Sequence, residues 1–446
     1  MLINILARLQ GIVHKVAVRC PRGVELIGRV VPLAARDLDL YSALIAGGNA
    51  IGAVPVVDDS DIGRTVVVGP PGARQADLFA MGGGWCGGVS VSEIGLDSLD
   101  YASPLPFGPY IAACIAAGEI FKAARMRPGA YTSPVSAFYS CWNHSATEFP
   151  DLRGPHDVGL DLDASLVRVG AVGAGLLHSL WACPSLRGSM TLVDHDPNGL
   201  DATNLNRYAI FGRSSVGSPK ATAAALALLD SEISLNAHDG RIETFRLSTP
   251  RVVSAVDRNS ARSAIQNQYP AGIFSGSTSD LRAEVLRCGP PGVGACLRCF
   301  NEPEKIPPDE DMRTKFKAAD ESELAALADS AGVSLSEAKD WLATGRCGHA
   351  GERLLPLLRR DGGEPEFAIG FVSVMAGTLL AAELLKDHLD HNLPLSEDSQ
   401  RATFQFFSPL ARSNRAAGFL RDPTCPMCAP ATCATAVGSS AATRSA

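Results

Sequence analysis

The sequence predicts an α/β protein: a doubly wound, Rossmann-like domain preceded by a second, smaller α/β domain. Three observations predict it. After about residue 155 the chain reads as strand Val167 to Val172, a glycine turn, a helix through Leu180 and a strand Met190 to Val193. That βαβ order closes into a parallel sheet with right-handed crossovers. Carboxylates stand at the ends of strand-like runs, Asp194 after one and Asp257 after Val252 to Val256, where open α/β sheets bind ligands. The residues before 155 are rich in glycine and β-branched runs such as Val54 to Val57 and Thr65 to Val68, broken by Pro70-Pro71 and Gly82 to Gly84, which are strand and turn signals.

The remaining elements follow in order. An Ala-rich helix, Ile111 to Ala124, closes the first domain, and a connector from Pro128 to His156 leads into the second. Residues 302–346 are charged and helical, with Ser334 and Glu337 spaced as a capping box before Trp341. An apolar helix, Phe371 to Leu389, precedes a strand, Thr403 to Phe407, and the Ala/Ser/Thr-rich tail from Ala429 is expected to be disordered. The segments Ala112 to Lys122 and Ala376 to Lys386 echo one another and both end Glu-x-x-Lys. Two unrelated packed helices or a duplication would each produce that echo.

Composition excludes several function classes. The 446 residues are 46% apolar and 20% charged, which are globular values. Forty Lys and Arg against 47 Asp and Glu give a net charge of −7, so the chain as a whole does not attract nucleic acid or anionic membranes. No stretch has the roughly 20 apolar residues of a membrane span, and Arg8 interrupts the N-terminal segment before any cleavage pattern. The expectation is a cytoplasmic protein.

Gly173 and Gly175 let the backbone approach a phosphate at a helix N-terminus, with His178 at the third fingerprint position. Such turns also occur in purely structural crossovers. Asp194, in Asp194-His195-Asp196, is placed to accept ribose hydroxyls. Arg207, in Thr203-Asn204-Leu205-Asn206-Arg207, and Lys220, in Val216-Gly217-Ser218-Pro219-Lys220, suit a triphosphate. Asp257 can hold Mg²⁺. Singly each charge reads as a surface residue; together they describe an ATP·Mg²⁺ site. Cys296-x2-Cys299 and Cys425-x2-Cys428 have the spacing of two zinc knuckles, the other reading being four buried thiols. Cys433 competes with poorer spacing. Cys347, in Gly345-Arg346-Cys347-Gly348-His349-Ala350-Gly351, reads either as an ordinary loop cysteine or as a nucleophile beside Arg346 and His349. Cys20, Cys86, Cys114, Cys141, Cys183 and Cys288 read as small hydrophobes, and His14, His144 and His238 show no ligand spacing.

This constellation resembles the ThiF/MoeB superfamily, the adenylating domain of ubiquitin-activating enzymes and sulfur-carrier activators, over roughly residues 165–430. The matching positions are Gly173 and Gly175, Asp194 and Asp196, Asn204 and Arg207, Gly217 and Lys220, and Asp257. This sequence departs from the pattern at His178, at Tyr208 where Gln commonly follows the Arg, at Arg258 where Asn often follows the Asp, and in a longer loop before Asn204. The resemblance implies nucleotide contacts at those positions, Mg²⁺ on Asp257, structural Zn²⁺ on the four cysteines, and Cys347 as the acyl acceptor in a Cys-x-x-x-Gly loop. It implies adenylation of the C-terminal carboxylate of a ubiquitin-like carrier protein, thioester formation, and transfer to a conjugating enzyme. It divides the chain into an inactive adenylation-like domain (1–155), an ATP-binding adenylation domain (156–300), a helical insert with the catalytic-cysteine loop (301–364), the end of the adenylation domain with the second knuckle (365–428), and a tail (429–446). Members are commonly dimers, so a homodimer is also expected. The resemblance leaves sulfur-carrier activation and a noncatalytic scaffold as rival readings. An NAD oxidoreductase would leave Arg207 and Lys220 unexplained.

Overall fold

The computed structural model describes residues 1–26, 33, 38–58, 63–69, 75–92, 99–125, 136–279, 281–289, 293–301, 316–330, 334–343, 369–389 and 399–428. Two compact units result: Met1–Asn301 with Ala368–Ala446, and Glu302–Phe367. Among the described residues no helix is long and apolar enough to cross a membrane.

The larger unit opens with α1 (Leu2–Leu6), β1 (Val16–Ala17), α2 (Leu40–Ile51) and β2 (Val56–Val57), β1 and β2 forming a short parallel pair. Next come β3 (Val66–Val68), β4 (Leu78–Gly83), β5 (Cys86–Ser90), α3 (Phe107–Arg125), β6 (Ser136–Ser140) and β7 (Ser145–Thr147). These strands make one sheet in chain order, parallel at β3–β4 and antiparallel thereafter.

The second sheet is built from β8 (Leu160–Val167), α4 (Ala171–Trp181), β9 (Leu186–Asp194), α5 (Lys220–Ala227), β10 (Ile233–Asp239), β11 (Arg251–Ser254), α6 (Asn259–Gln266), β12 (Gly272–Ser279) and β13 (Arg282–Cys288). A one-turn α7 (Leu297–Phe300) follows. The smaller unit holds α8 (Glu321–Ser330) and α9 (Leu335–Ala343) around Phe316, Leu324, Ala328 and Ala338. Its capping box is formed: Ser334 N–H donates to Glu337 Oε2 at 2.8 Å and Glu337 N–H to Ser334 Oγ at 3.3 Å. The larger unit then resumes with α10 (Gly370–His388), β14 (Arg401–Gln405) and β15 (Ala416–Ala417). The sheet order is β10-β9-β8-β11-β12-β13-β14-β15, parallel from β10 to β12 and antiparallel beyond. From β8 the chain winds outward to β9 and β10, then crosses back to β11 on the other side of β8, so the order reverses between β8 and β11, the position at which open α/β sheets bind ligands in a crevice beyond the strands' C-terminal ends.

Several element limits differ from the sequence reading. Val167 ends β8 rather than starting a strand to Val172, because Arg168 turns out of the sheet at φ +76° and Gly170 caps α4. Strand β11 stops at Ser254, so Asp257 stands on the loop beyond it. Only Val56–Val57 of the Val54 to Val57 run is strand, and β14 covers Arg401–Gln405 rather than reaching Phe407.

Helices α4, α3 and α10 are buried on almost every side, which explains why their sequences are apolar and small-residue-rich instead of amphipathic. The α4–α10 crossing brings backbones together. A Cβ on Gly175 would sit 3.0 Å from Val374 Cα, and one on Gly377 would collide with Leu176 N and Val172 O.

The helix echo corresponds to a repeat of topology. Strands β3 to β7 with α3 inserted between β5 and β6 repeat β11 to β15 with α10 inserted between β13 and β14, in the same parallel and antiparallel sequence. The two helices also exchange contacts. Lys122 of α3 pairs with Glu119 at 2.6 Å and donates to Phe406 O, just past β14, at 2.6 Å. Lys386 of α10 pairs with Glu383 and donates to Cys141 O, just past β6, at 2.7 Å. Glu383 also meets His144 Nε2 at 2.7 Å, and His144 Nδ1 meets Tyr139 OH at 2.8 Å. Around them Tyr139 packs on Phe404, and Phe371 on Phe406, each at 4.9 Å between ring centroids.

These groups set two expectations. Lys386→Met strands the buried Glu383 charge and should cost about 3–5 kcal/mol in denaturant unfolding, whereas adding Glu383→Leu should recover much of the loss. Burial raises the Glu383 carboxyl, but Lys386 and His144 outweigh it and hold its pKa down at about 2, and burial lowers that of His144. In both cases the unfolded state binds more protons in acid. Stability should therefore fall as pH drops below about 6.5, where unfolded histidine protonates, and further from about 4.3 towards 2 as the Glu383 contribution is lost. Melting temperatures measured from pH 8 to 3 check the direction.

Candidate functional site

The crevice beyond β8, β9 and β11 is assembled from strand ends. Asp194, last residue of β9, is 6% exposed and accepts the Val169 N–H on Oδ2 at 2.7 Å. This bond fixes the turn that carries Gly170 and opens α4. Burial raises the Asp194 pKa, against the opposing pull of Lys220, the Val169 amide and Arg168. Two residues on, Asp196 is ion-paired with Lys220, the first residue of α5, whose side chain is 4% exposed. Burial opposes the Lys220 ammonium, but Tyr208, Asp196 and Asp194 more than compensate and raise its pKa. Asp257 pairs with Arg168 at 3.1 Å.

Arg207 donates to Asn206 Oδ1 at 2.8 Å and Thr203 O at 3.3 Å. Its guanidinium lies 5.6 Å from the Tyr208 ring centroid and the Lys220 ammonium 5.5 Å from the same ring. Tyr208 is therefore a shared face for the two cations, and its hydroxyl lies 3.9 Å from where a Cβ on Gly170 would stand. Asn204 closes a capping box with Asp201, receiving the Asp201 N–H at 3.2 Å, so it shapes the Arg207 segment.

The glycine positions need correction. Gly173 and Gly175 lie inside α4, and the glycine at the turn is Gly170. A Cβ on Gly173 would stand 2.5 Å from Arg168 O, so this glycine seats the helix against the turn. Gly170 and Gly175 stand at the first and third positions of a G-x-G-x-x-G spacing whose second position is Val172, Gly173 lies beside it, and His178 is the eighth residue of α4. His178 is buried with Nδ1 2.7 Å from Tyr110 OH of α3, and burial lowers its pKa to about 3. Gly170, three residues before Gly173, was the available signal.

Sequence reasoning also missed Arg8. Its guanidinium is 2% exposed and donates to Leu205 O at 2.5 Å, Phe211 O at 2.9 Å and Ala209 O at 3.2 Å, while Asn4 Nδ2 donates to Ala209 O at 2.9 Å. The N-terminal segment thereby holds the loop that presents Arg207. No local pattern announces this, because the partners are backbone carbonyls some 200 residues away in the chain.

The two knuckles meet within the larger unit. The Sγ atoms of Cys296, Cys299, Cys425 and Cys428 all lie within 4.8 Å of one another. Individual separations are 3.9 Å for Cys296–Cys299, 3.7 Å for Cys296–Cys425 and 3.4 Å for Cys299–Cys428. Zn–S bonds of about 2.3 Å at tetrahedral angles set sulfurs about 3.8 Å apart, so the four thiols fit zinc. Gln266 receives the Leu297 N–H at 3.1 Å, and Gln400 bonds both backbone groups of Ala295. Burial pushes the Cys296 thiol up to about 12, which makes a cation the partner its thiolate requires. Cys347, with Arg346 and His349, and Cys433 lie outside the described residues.

One zinc per chain is expected by elemental analysis. Cys425→Ser should lose it and lower the melting temperature, because the site joins segments distant in sequence.

A profile of the ThiF family matches residues 161–427, more than half of the chain. The uncharacterized protein y4jF of Sinorhizobium fredii (strain NBRC 101917 / NGR234) is 29% identical over 249 residues, covering 54% of this chain and 46% of its own length. The chain thus spans about half the length of that curated relative. Structures of E. coli MccB are similar at low identity. The ATP complex shows 18% identity and a TM-score of 0.40 over 60% of this chain and 66% of that one. The microcin C7 biosynthetic enzyme MccB with N-formylated MccA shows 17% and 0.41 over 60% and 67%. With the family profile extending from β8 into the second knuckle, the chain belongs to the ThiF family and has its adenylating-enzyme fold.

Proposed function

We propose that the chain uses ATP·Mg²⁺ to adenylate the C-terminal carboxylate of a ubiquitin-like carrier protein, then forms a thioester on Cys347 for transfer to a conjugating enzyme. The observation that carries this reading is the gathering of Lys220, Asp194, Asp196, Arg168 and Asp257 around one crevice at the sheet's switch point. Zinc on the four cysteines is structural in this reading, since four thiolates leave no open position.

The chemistry asked of these residues is charge management. The carrier's carboxylate oxygen attacks the α-phosphorus, the bond to the bridging oxygen of the β-phosphate breaks, and pyrophosphate leaves. Lys220 and Arg207 oppose the charge that develops on the phosphate oxygens. Asp257 would hold Mg²⁺, which when bound would screen the phosphate charge. Asp194 retains acceptor capacity for a ribose hydroxyl beyond its bond to Val169. The Cys347 thiolate then attacks the activated carbonyl carbon and AMP departs, leaving the thioester.

The repeated strand order in residues 66–147 supports treating the N-terminal part as an inactive adenylation-like half, as in ubiquitin-activating enzymes. It supplies Tyr110 to His178 of α4.

ATP–pyrophosphate exchange with the carrier present tests the first step, and Lys220→Ala should reduce it by about a hundredfold or more. Cys347→Ala should keep exchange and lose a thiol-labile adduct of small-protein mass, read by intact mass spectrometry. Exchange without that adduct in wild type would favour sulfur-carrier activation. No exchange in a lysate that holds the carrier would leave a scaffold.

A further inference from the structure

Arg168 occupies a position that no step above uses. It follows the last residue of β8, takes φ +76°, and donates its own N–H to Val193 O at 2.8 Å. A left-handed backbone is costly for a side chain with a Cβ and concentrates at functional sites. Here it aims the side chain across the switch-point crevice. The guanidinium reaches Asp257, on the loop after β11, at 3.1 Å. Its Nε and Cγ lie 3.8 Å from where a Cβ on Gly170 would stand, so the arginine lies over the turn that opens α4. Asp194, Asp196 and Tyr208 add further negative or polar groups around it. With side chains 38% and 62% exposed, neither member of the pair is sealed in.

The cation therefore sits where two things must go in the reading above, on which this inference rests: phosphates over the α4 amides, and Mg²⁺ beside Asp257. We infer that Arg168 is an exchanging cation. In the nucleotide-free site it neutralises Asp257. When ATP enters, the guanidinium passes to the phosphates and frees the Asp257 carboxylate for the metal. The exchange makes and breaks no covalent bond and moves no proton. It gives Asp257 a cationic partner in both states, and it makes Arg168 a phosphate-binding group that competes with Mg²⁺ until nucleotide is present.

The test is calorimetric binding of the α,β-methylene analogue of ATP to the full chain at constant ionic strength, with chelator or with graded Mg²⁺. Arg168→Gly suits the left-handed backbone and so preserves the turn. It should weaken Mg²⁺-free binding by about ten- to a hundredfold, the loss of a charged hydrogen bond, and Arg168→Lys should retain part of the affinity. The same glycine variant should reach half-saturation at about two- to fivefold lower Mg²⁺, because no guanidinium then shares the phosphates with the metal, a partly exposed charge contact of that size. Asp257→Asn should tighten Mg²⁺-free binding by a similar factor, and that gain should vanish in the Arg168→Gly background. Equal Mg²⁺-free binding by wild type and Arg168→Gly, or a gain from Asp257→Asn that survives there, overturns the exchange while leaving the nucleotide site standing. A wild type that binds no analogue overturns the nucleotide reading and this inference with it.

Discussion

Two lysine side chains, Lys122 and Lys386, are almost completely buried, and the rest of the larger unit depends on how their charge is met. An ammonium out of water is tolerated when a carboxylate and hydrogen-bond acceptors surround it. Each lysine takes its carboxylate from its own helix, one turn back, and its carbonyl from just past a strand of the other half. The arrangement can be completed only when both halves are folded and in register. Between the two clusters Tyr139, Phe371, Phe404 and Phe406 supply the apolar burial, with the ion pairs fixing which faces meet.

From that interface order passes to the crevice through short chains of contact. Helix α10 crosses α4 at Gly175 and Gly377, close enough that either glycine's replacement would move a backbone. Tyr110 of α3 holds His178 of α4, and Arg8 holds the Arg207 segment through its carbonyls. The N-terminal part of the chain therefore supports both walls of the proposed nucleotide crevice. The four-cysteine cluster does the same for the C-terminal stretch, tying α7 to residues 425–428.

The crevice itself is a set of opposed charges. Lys220 meets Asp196, Arg168 meets Asp257, and Arg207 and Lys220 share the Tyr208 face. The Arg168–Asp257 pair is partly exposed and worth little to folding, whereas the buried Lys220 ammonium requires its Asp196 partner; in the proposed function this concentration of charge at strand ends serves an anionic ligand.

The sequence by itself determined what local spacing can carry. The βαβ order, the carboxylates after strand-like runs at Asp194 and Asp257, the capping box at Ser334 and the knuckle spacing are all properties of short segments, and the order of the charged motifs carried the family resemblance. The helix echo was visible as well, although its meaning was open. Tertiary structure decided the rest, because the decisive partners are far apart in the chain. It placed the turn at Gly170, since Asp194 captures the Val169 amide from a neighbouring strand. It gave His178 a tyrosine partner, set Arg8 on backbone carbonyls, joined the lysines across the halves and aimed Arg168 at Asp257 across the crevice. Periodicity encodes which residues face a core; it carries no information about which distant carbonyl or carboxylate will meet a given charge once that core has formed.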